Sequence, residues 1–218
     1  MARAKTSSFV TTVDLQVTPE QAVILRKRFN AARMVYNACL SHYLKHATRL
    51  RQCRDYRRYK GMKSAGKKKE ANTLFKEMVE RFQLREFSSN YLVDANGLNW
   101  LAGHLGTKEA AATRQQAYKA FQNWMLSGFK NRRPKFRRFD QLDSVQSRTE
   151  GGIRWKKTAS QVEWKRKTGT LTLPARINHN DAVLMHGIDS PVKFTRLTRR
   201  VIRGQERFYA QLVNEGDP

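Results

Sequence analysis

Phe9, Thr11, Val13, Leu15 and Val17 alternate with polar neighbours, the period of a half-buried strand. Thr18-Pro19-Glu20-Gln21 follows as an N-cap, a proline at the first helical position and a capping-box glutamine. The helix it opens carries Leu25, Phe29, Ala32, Tyr36, Cys39, Leu40 and Tyr43 on one face and is expected to run to about Leu50. Between Lys45 and Lys69, Gly61 and Gly66 are expected to break any continuous helix. Helical patterns resume over Glu70–Phe82 and Ser88–Leu101. Thr107 then caps a helix that presents Ala117, Phe121, Trp124 and Met125 and ends near Gly128.

After Phe139 the pattern changes to short alternating segments: Ser144–Arg148, Ile153–Lys156, Gln161–Lys165, Thr170–Leu173, Ala182–Met185, Val192–Ile202 and Arg207–Val213. Arg203-Gly204-Gln205 between the last two predicts a hairpin. One strand first, helices next and many strands last predicts an α+β fold. Residues 1–17 and 140–218 would form a small antiparallel, OB-like barrel, interrupted by a helical lobe over 18–139.

Charge changes the picture. The 218 residues carry 43 Lys+Arg against 18 Asp+Glu, a formal net charge of +25. With 39% hydrophobic residues the chain is too apolar for a disordered basic tail, so the charge decorates a folded body. It is also clustered. Gly128–Phe139 holds Lys130, Arg132, Arg133, Lys135, Arg137 and Arg138 around Phe129, Phe136 and Phe139, with no acid before Asp140. Arginines interleaved with aromatic rings suit phosphates and bases together. Further basic runs are Lys45–Lys69, Arg154–Lys157 with Lys165, Arg166 and Lys167, and Arg196–Arg203 with Arg199 and Arg200. Lys156 and Lys157 join this nucleic-acid-binding set.

Catalytic and metal motifs are scarce. No H-E-x-x-H, phosphate-cradling loop, dinucleotide fingerprint or G-x-S-x-G occurs. Cys39, His42 and His46 can share a helix face, but core packing accounts for them without a metal. Asp189 ends an apolar stretch, as the first aspartate of an RNase H-like nuclease can, yet no helical layer follows. It reads as a loop aspartate. Two unpaired-looking cysteines, no leader-like apolar region and no membrane-length apolar run point to the cytoplasm.

The order of motifs resembles TnpB proteins of transposons and the compact type V CRISPR effectors. The residues that carry it are Thr18-Pro19-Glu20-Gln21, Phe29-Asn30-Ala31-Ala32-Arg33-Met34-Val35-Tyr36-Asn37, Ala117–Trp124 leading into Arg133-Pro134-Lys135-Phe136, Leu171-Thr172-Leu173-Pro174, and Arg207–Leu212. The resemblance implies a wedge domain interrupted by a recognition domain, in a prokaryotic cytoplasm. It implies a guide RNA and a target DNA as partners, with Arg33, Tyr36, Asn37, Arg114, Tyr118 and Lys119 on nucleic acid. Readers of a short flanking DNA motif would fall at His104, Lys108 and Thr149. In that family a RuvC nuclease domain with three acids, using magnesium, follows the wedge. This sequence ends at Glu215-Gly216-Asp217-Pro218, where that domain would begin. The expectation is therefore a fragment or one part of a split effector, without cofactor or catalytic residue of its own. The competing expectation is a stand-alone protein that binds structured RNA through a basic barrel. A third is an enzyme built on Asp189.

Overall fold

The structure, a computed structural model, describes residues 6–94, 101, 103–148 and 151–217. Among the described residues seven strands, five α-helices and one 3-10 helix follow one another as β1 (Ser8–Leu15), α1 (Pro19–Gln52), α2 (Arg54–Ser64), α3 (Lys68–Arg81), a 3-10 helix (Glu86–Leu92), α4 (Thr107–Leu126), β2 (Ser144–Arg148), β3 (Ile153–Lys156), β4 (Gln161–Arg166), β5 (Gly169–Arg176), α5 (Ala182–Asp189), β6 (Val192–Ile202) and β7 (Gln205–Glu215). The fold is α+β. Among the described residues, none of the helices is long and apolar enough to cross a membrane.

Two compact units divide the chain inside α1 and α4: residues 1–34, 98–113 and 137–218 form the first, and 35–97 with 114–136 the second. The pattern-based boundaries at 17/18 and 139/140 follow the change from strand to helix. The compact units instead give the first turns of α1 and α4 to the sheet.

The first unit is built on one antiparallel sheet of strand order β2-β6-β7-β1-β5-β4-β3, curled so that β3 returns near β2. The alternation of β1 is realised, with Thr11, Val13 and Leu15 buried and Ser8, Val10 and Thr12 outside. Its pairing is long-range: Ser8 lies opposite Glu215 and Asp14 opposite Tyr209. Ile202 pairs with Gln205 across a two-residue turn. Arg203 (φ 51°) and Gly204 (φ 78°) both take the left-handed region, as the twist of a tight hairpin requires.

The start of α1 is held to this sheet. Thr18 and Gln21 form a reciprocal capping box, with Thr18 N donating to Gln21 Oε1 (3.0 Å) and Gln21 N to Thr18 Oγ1 (3.3 Å). Gln21 Nε2 then donates to Thr172 O on β5 at 2.9 Å. Arg28, 3% exposed, lies over the Trp164 ring and donates to Trp164 O at 2.9 Å. Burial, and secondarily Arg166, bring its pKa down to about 10, against the pull of Glu109.

Ala182–Met185, expected as a strand, is the first turn of α5. Asp181 Oδ1 accepts from Leu184 N at 2.9 Å and caps it, and Gly187 lets the helix sit on Thr11. Asn214 donates to both Thr11 Oγ1 (2.9 Å) and Gly187 O (2.8 Å), closing the contact in a buried polar knot.

The second unit is helical. Val35, Tyr36, Cys39, Leu40, Tyr43, Ala47 and Leu50 repeat at three- and four-residue steps and are buried. Tyr43 stacks on Phe121 at 5.0 Å while its hydroxyl donates to Glu86 O at 2.7 Å and meets Ser89 Oγ at 2.9 Å. Gly61 does not break a helix; it lies within α2 and is tolerated on an exposed face. The breaks fall at Cys53, extended at φ −73°, ψ 156°, and at Gly66 (φ +76°). Of the helix expected over Ser88–Leu101, Ser88–Leu92 lies in the 3-10 helix, and residues 95–100 lie outside the described ones.

His42 and His46 are held inside this unit. Their rings stack at 4.4 Å, His42 meets Tyr91 Oη and Gln83 O at 3.2 Å each, and His46 meets Phe82 O at 3.0 Å. Burial first, with His46 adding to it, holds the His42 pKa below the ordinary value. A depressed histidine pKa means the unfolded chain binds the extra proton first. Stability is then full above the unfolded pKa and falls as pH drops through the folded one. Urea midpoints should therefore fall between about pH 7 and pH 5. His42→Gln should flatten that fall; a variant with the same pH slope would disprove the assignment.

Candidate nucleic-acid interface

The basic run Lys130–Arg138 leaves the second unit through a built turn. Gly128 (φ +68°) and Phe129 (φ 64°) both lie in the left-handed region at the end of α4. Gly128 N donates to Met125 O at 3.0 Å and Phe129 N to Trp124 O at 3.0 Å, which satisfies the last carbonyls of the helix. Ser127 Oγ accepts from Lys130 N (3.2 Å) and Asn131 N (3.0 Å), fixing the next two residues. This geometry folds Phe129 back so that its ring meets Trp124 edge-on at 4.8 Å and Tyr56 at 6.0 Å. Two guanidinium groups face the Trp124 indole, Arg51 at 5.9 Å and Arg133 at 5.8 Å.

Phe129 is thus an anchor. Phe136 and Phe139, 51% and 64% exposed, stand out with Lys130, Arg132, Arg133, Lys135, Arg137 and Arg138. Nothing among the described residues forms a strand or helix from Lys130 to Phe139. Like charges at this density repel, and a polyanion laid along them removes that cost.

The other expected contacts divide by burial. Arg33 is half-buried, donating to Asn30 Oδ1 at 2.8 Å and to Arg137 O at 3.3 Å. Asn37 is half-buried and Lys119 exposed. Lys156 is half-buried, and Lys167 and Arg200 are exposed, with Arg200 over the Tyr209 ring at 5.2 Å. Lys165 is exposed beside Glu163 at 3.9 Å, and Lys157 pairs with Asp189 at 2.8 Å. That pair sits at a helix end on the surface, so Asp189 does not terminate a strand.

Tyr36, Arg114, Tyr118 and Arg199 differ from expectation in being buried. Arg114 donates to Glu86 O, and Tyr118 packs against Tyr43 at 5.3 Å. Arg199, 7% exposed, faces Asp140 at 3.0 Å, Glu206 at 3.1 Å and Asp143 at 3.6 Å. Its charge is spent tying residues 140–143 to β6 and β7. A cation so enclosed has little left for phosphate.

Sequence reasoning missed Glu109, which is 0% exposed in a chain of net charge +25. Its two oxygens gather four groups: Ser147 Oγ at 2.7 Å, Gly152 N at 2.7 Å, Gly106 N at 2.9 Å and Arg166 Nη1 at 3.5 Å. Gly106 is the real N-cap of α4, and Glu109 reaches back to it from the third helical position, displacing the cap expected at Thr107. The spacing Gly-x-x-Glu was the available signal. A Cβ on Gly106 or Gly152 would meet the Glu109 and Arg166 side chains, and at Gly152 the Lys165 carbonyl oxygen as well, at 3.0 Å or less, so both glycines make room for the carboxylate. Arg166, an expected phosphate contact, is thereby engaged inside.

His104 lies exposed in the turn before α4, and Lys108 is exposed in its first turn. Thr149 lies outside the described residues. Glu109 therefore joins the turn that carries His104 to Ser147 and Gly152, which flank residue 149.

Residues 10–49 match the helix-turn-helix domain family of IS605 OrfB. The likeness is confined to that segment, less than half of the 218 residues. No curated protein matches the chain. Within the matched span lie most of β1 and a single continuous helix, α1, so a short recognition helix after a turn has no counterpart there.

Proposed function

We propose that the chain is the non-catalytic part of an RNA-guided DNA endonuclease, of the TnpB or compact type V CRISPR kind. It grips guide RNA scaffold and guide–target heteroduplex and reads a short DNA motif beside the target. The observation that carries this reading is the exposed, irregular Lys130–Phe139 run, held at one end by Phe129. Such proteins delegate sequence choice to base pairing and recognise backbone shape, which suits cations on an extended segment better than a groove-reading helix. Metal-assisted cutting of a phosphodiester needs several carboxylates converging on the ions. A RuvC-bearing remainder, in cis or in trans within a prokaryotic cytoplasm, supplies the carboxylates and magnesium.

Motif reading is assigned to His104, Lys108 and Thr149. The test is a flanking-motif preference screen on the RNA-loaded complex with the nuclease domain restored. Alanine at a reader should relax preference at one motif position by about 1–3 kcal/mol, while loss of a phosphate contact weakens all motifs alike. An unchanged profile with alanine at all three positions removes the readers. RNA binding with no motif preference in the wild type assigns the chain instead to stand-alone RNA binding.

A further inference from the structure

The bend at Cys53 between α1 and α2 opens a cavity of about 360 Å³ in the second unit, lined by Thr48, Arg51, Gln52, Tyr56, Arg57 and Lys60. That volume lies within the roughly 300–1,000 Å³ of small-ligand pockets and exceeds what a lone phosphate needs. Three cations line it and no carboxylate does, among the described residues. The side chains of Gln52, Arg57 and Lys60 are exposed and have no partner among those residues. Arg51 differs: its guanidinium lies over two rings, 5.4 Å from Phe129 and 5.9 Å from Trp124. Tyr56 stacks on Tyr59 at 5.7 Å and forms a fixed wall.

Each group has a use for a nucleotide. A guanidinium already lying on aromatic rings is a platform for a base on its cavity side. Gln52 offers a donor and an acceptor to a base edge. Arg57 and Lys60, one helical turn apart at i and i+3, are spaced to hold a phosphate between them. A paired nucleotide cannot enter a concave site, since its edge and both faces are taken up by the duplex. We infer that this cavity receives a single unpaired nucleotide of an RNA chain, extruded from a bulge or loop, with its phosphate on Arg57 and Lys60 and its base on Arg51. The inference rests on the RNA-binding reading above and adds to it a site that selects unpaired over paired RNA.

The test uses the full chain and two RNA hairpins, identical except that one carries a single unpaired nucleotide in its stem. The wild type should bind the bulged hairpin about tenfold more tightly, a difference of the size one stacked base supplies. Arg57→Glu with Lys60→Glu, both on exposed positions, should abolish the difference by weakening the bulged hairpin more than the paired one. Gln52→Ala should reduce the difference and leave the paired hairpin unchanged. Equal binding of the two hairpins by the wild type, or equal weakening of both by the charge reversal, overturns the pocket while RNA binding stands. Failure of the wild type to bind either hairpin overturns both readings.

Discussion

Replacing Arg132, Arg133, Arg137 and Arg138 together by alanine is expected to weaken binding of structured RNA by about a hundredfold or more near 0.1 M salt. All four are exposed, and none sits in a helix or strand whose register the change would disturb. The diagnostic is the salt dependence rather than the affinity. Each phosphate neutralised releases counterions worth about 0.7–0.9 in the slope of log affinity against log salt, so four lost contacts should flatten it by about 3. A reduced affinity with the original slope would mean that the substitutions disturbed the fold instead. Arg133 is the one at risk of that, because it lies over Trp124 at 5.8 Å. Losing a cation–π contact of this kind costs about 0.5–1 kcal/mol, too little to mimic the expected effect. An unchanged slope with unchanged affinity would take the segment off the RNA altogether.

Glu109→Ala should be the most destabilising single substitution in the first unit. It strips the partner from Ser147 Oγ, from the N–H groups of Gly106 and Gly152, and from the half-buried charge of Arg166, all within 3.5 Å of the carboxylate. Breaking a buried pair from one side costs about 3–5 kcal/mol, since the surviving charge stays desolvated. At roughly 2–4 °C per kcal/mol for a chain of this size, the melting midpoint should fall by about 6–20 °C. Glu109→Gln keeps one acceptor but points an amide donor at groups that themselves donate, so its loss should be smaller, about 1–3 kcal/mol. An alanine variant within about 1 kcal/mol of wild type would show that the four contacts contribute little net stability.

Much of this fold is legible in the chain because its signals are local. The capping box at Thr18 and Gln21, the β2, β3 and β6 segments and the Arg203-Gly204 turn all depend on neighbours a few residues apart. Ala182–Met185 was misread because a short apolar run has no decisive period. Asn180-Asp181 ahead of it, a capping signal, outweighs the run. Nothing in the sequence marks Cys53 as a bend, so the cavity it opens was invisible, although the cations lining it belong to a recognised basic run. The burial of Arg199 and Arg114 was equally hidden. Whether an arginine faces solvent depends on carboxylates and carbonyls that the fold brings from elsewhere, here Asp140 and Glu206 for one and Glu86 for the other. Composition reports the charge; only topology reports which charges are already answered.

The pairing of Ser8 with Glu215 also sets the order of events on the ribosome. At synthesis rates of roughly 5–20 residues per second, β1 emerges some 10–40 s before β7 exists to pair with it. Closing a loop of that length carries an entropic penalty that no early contact of β1 with β7 offsets. During that interval the helices of the second unit, whose partners are mostly close in sequence, can form and dock. Val10, 53% exposed even in the finished sheet, is then one of several apolar groups on an unpaired strand. The net charge of +25 then has a second effect, since chains of one sign repel and half-made sheets are held apart until β7 arrives.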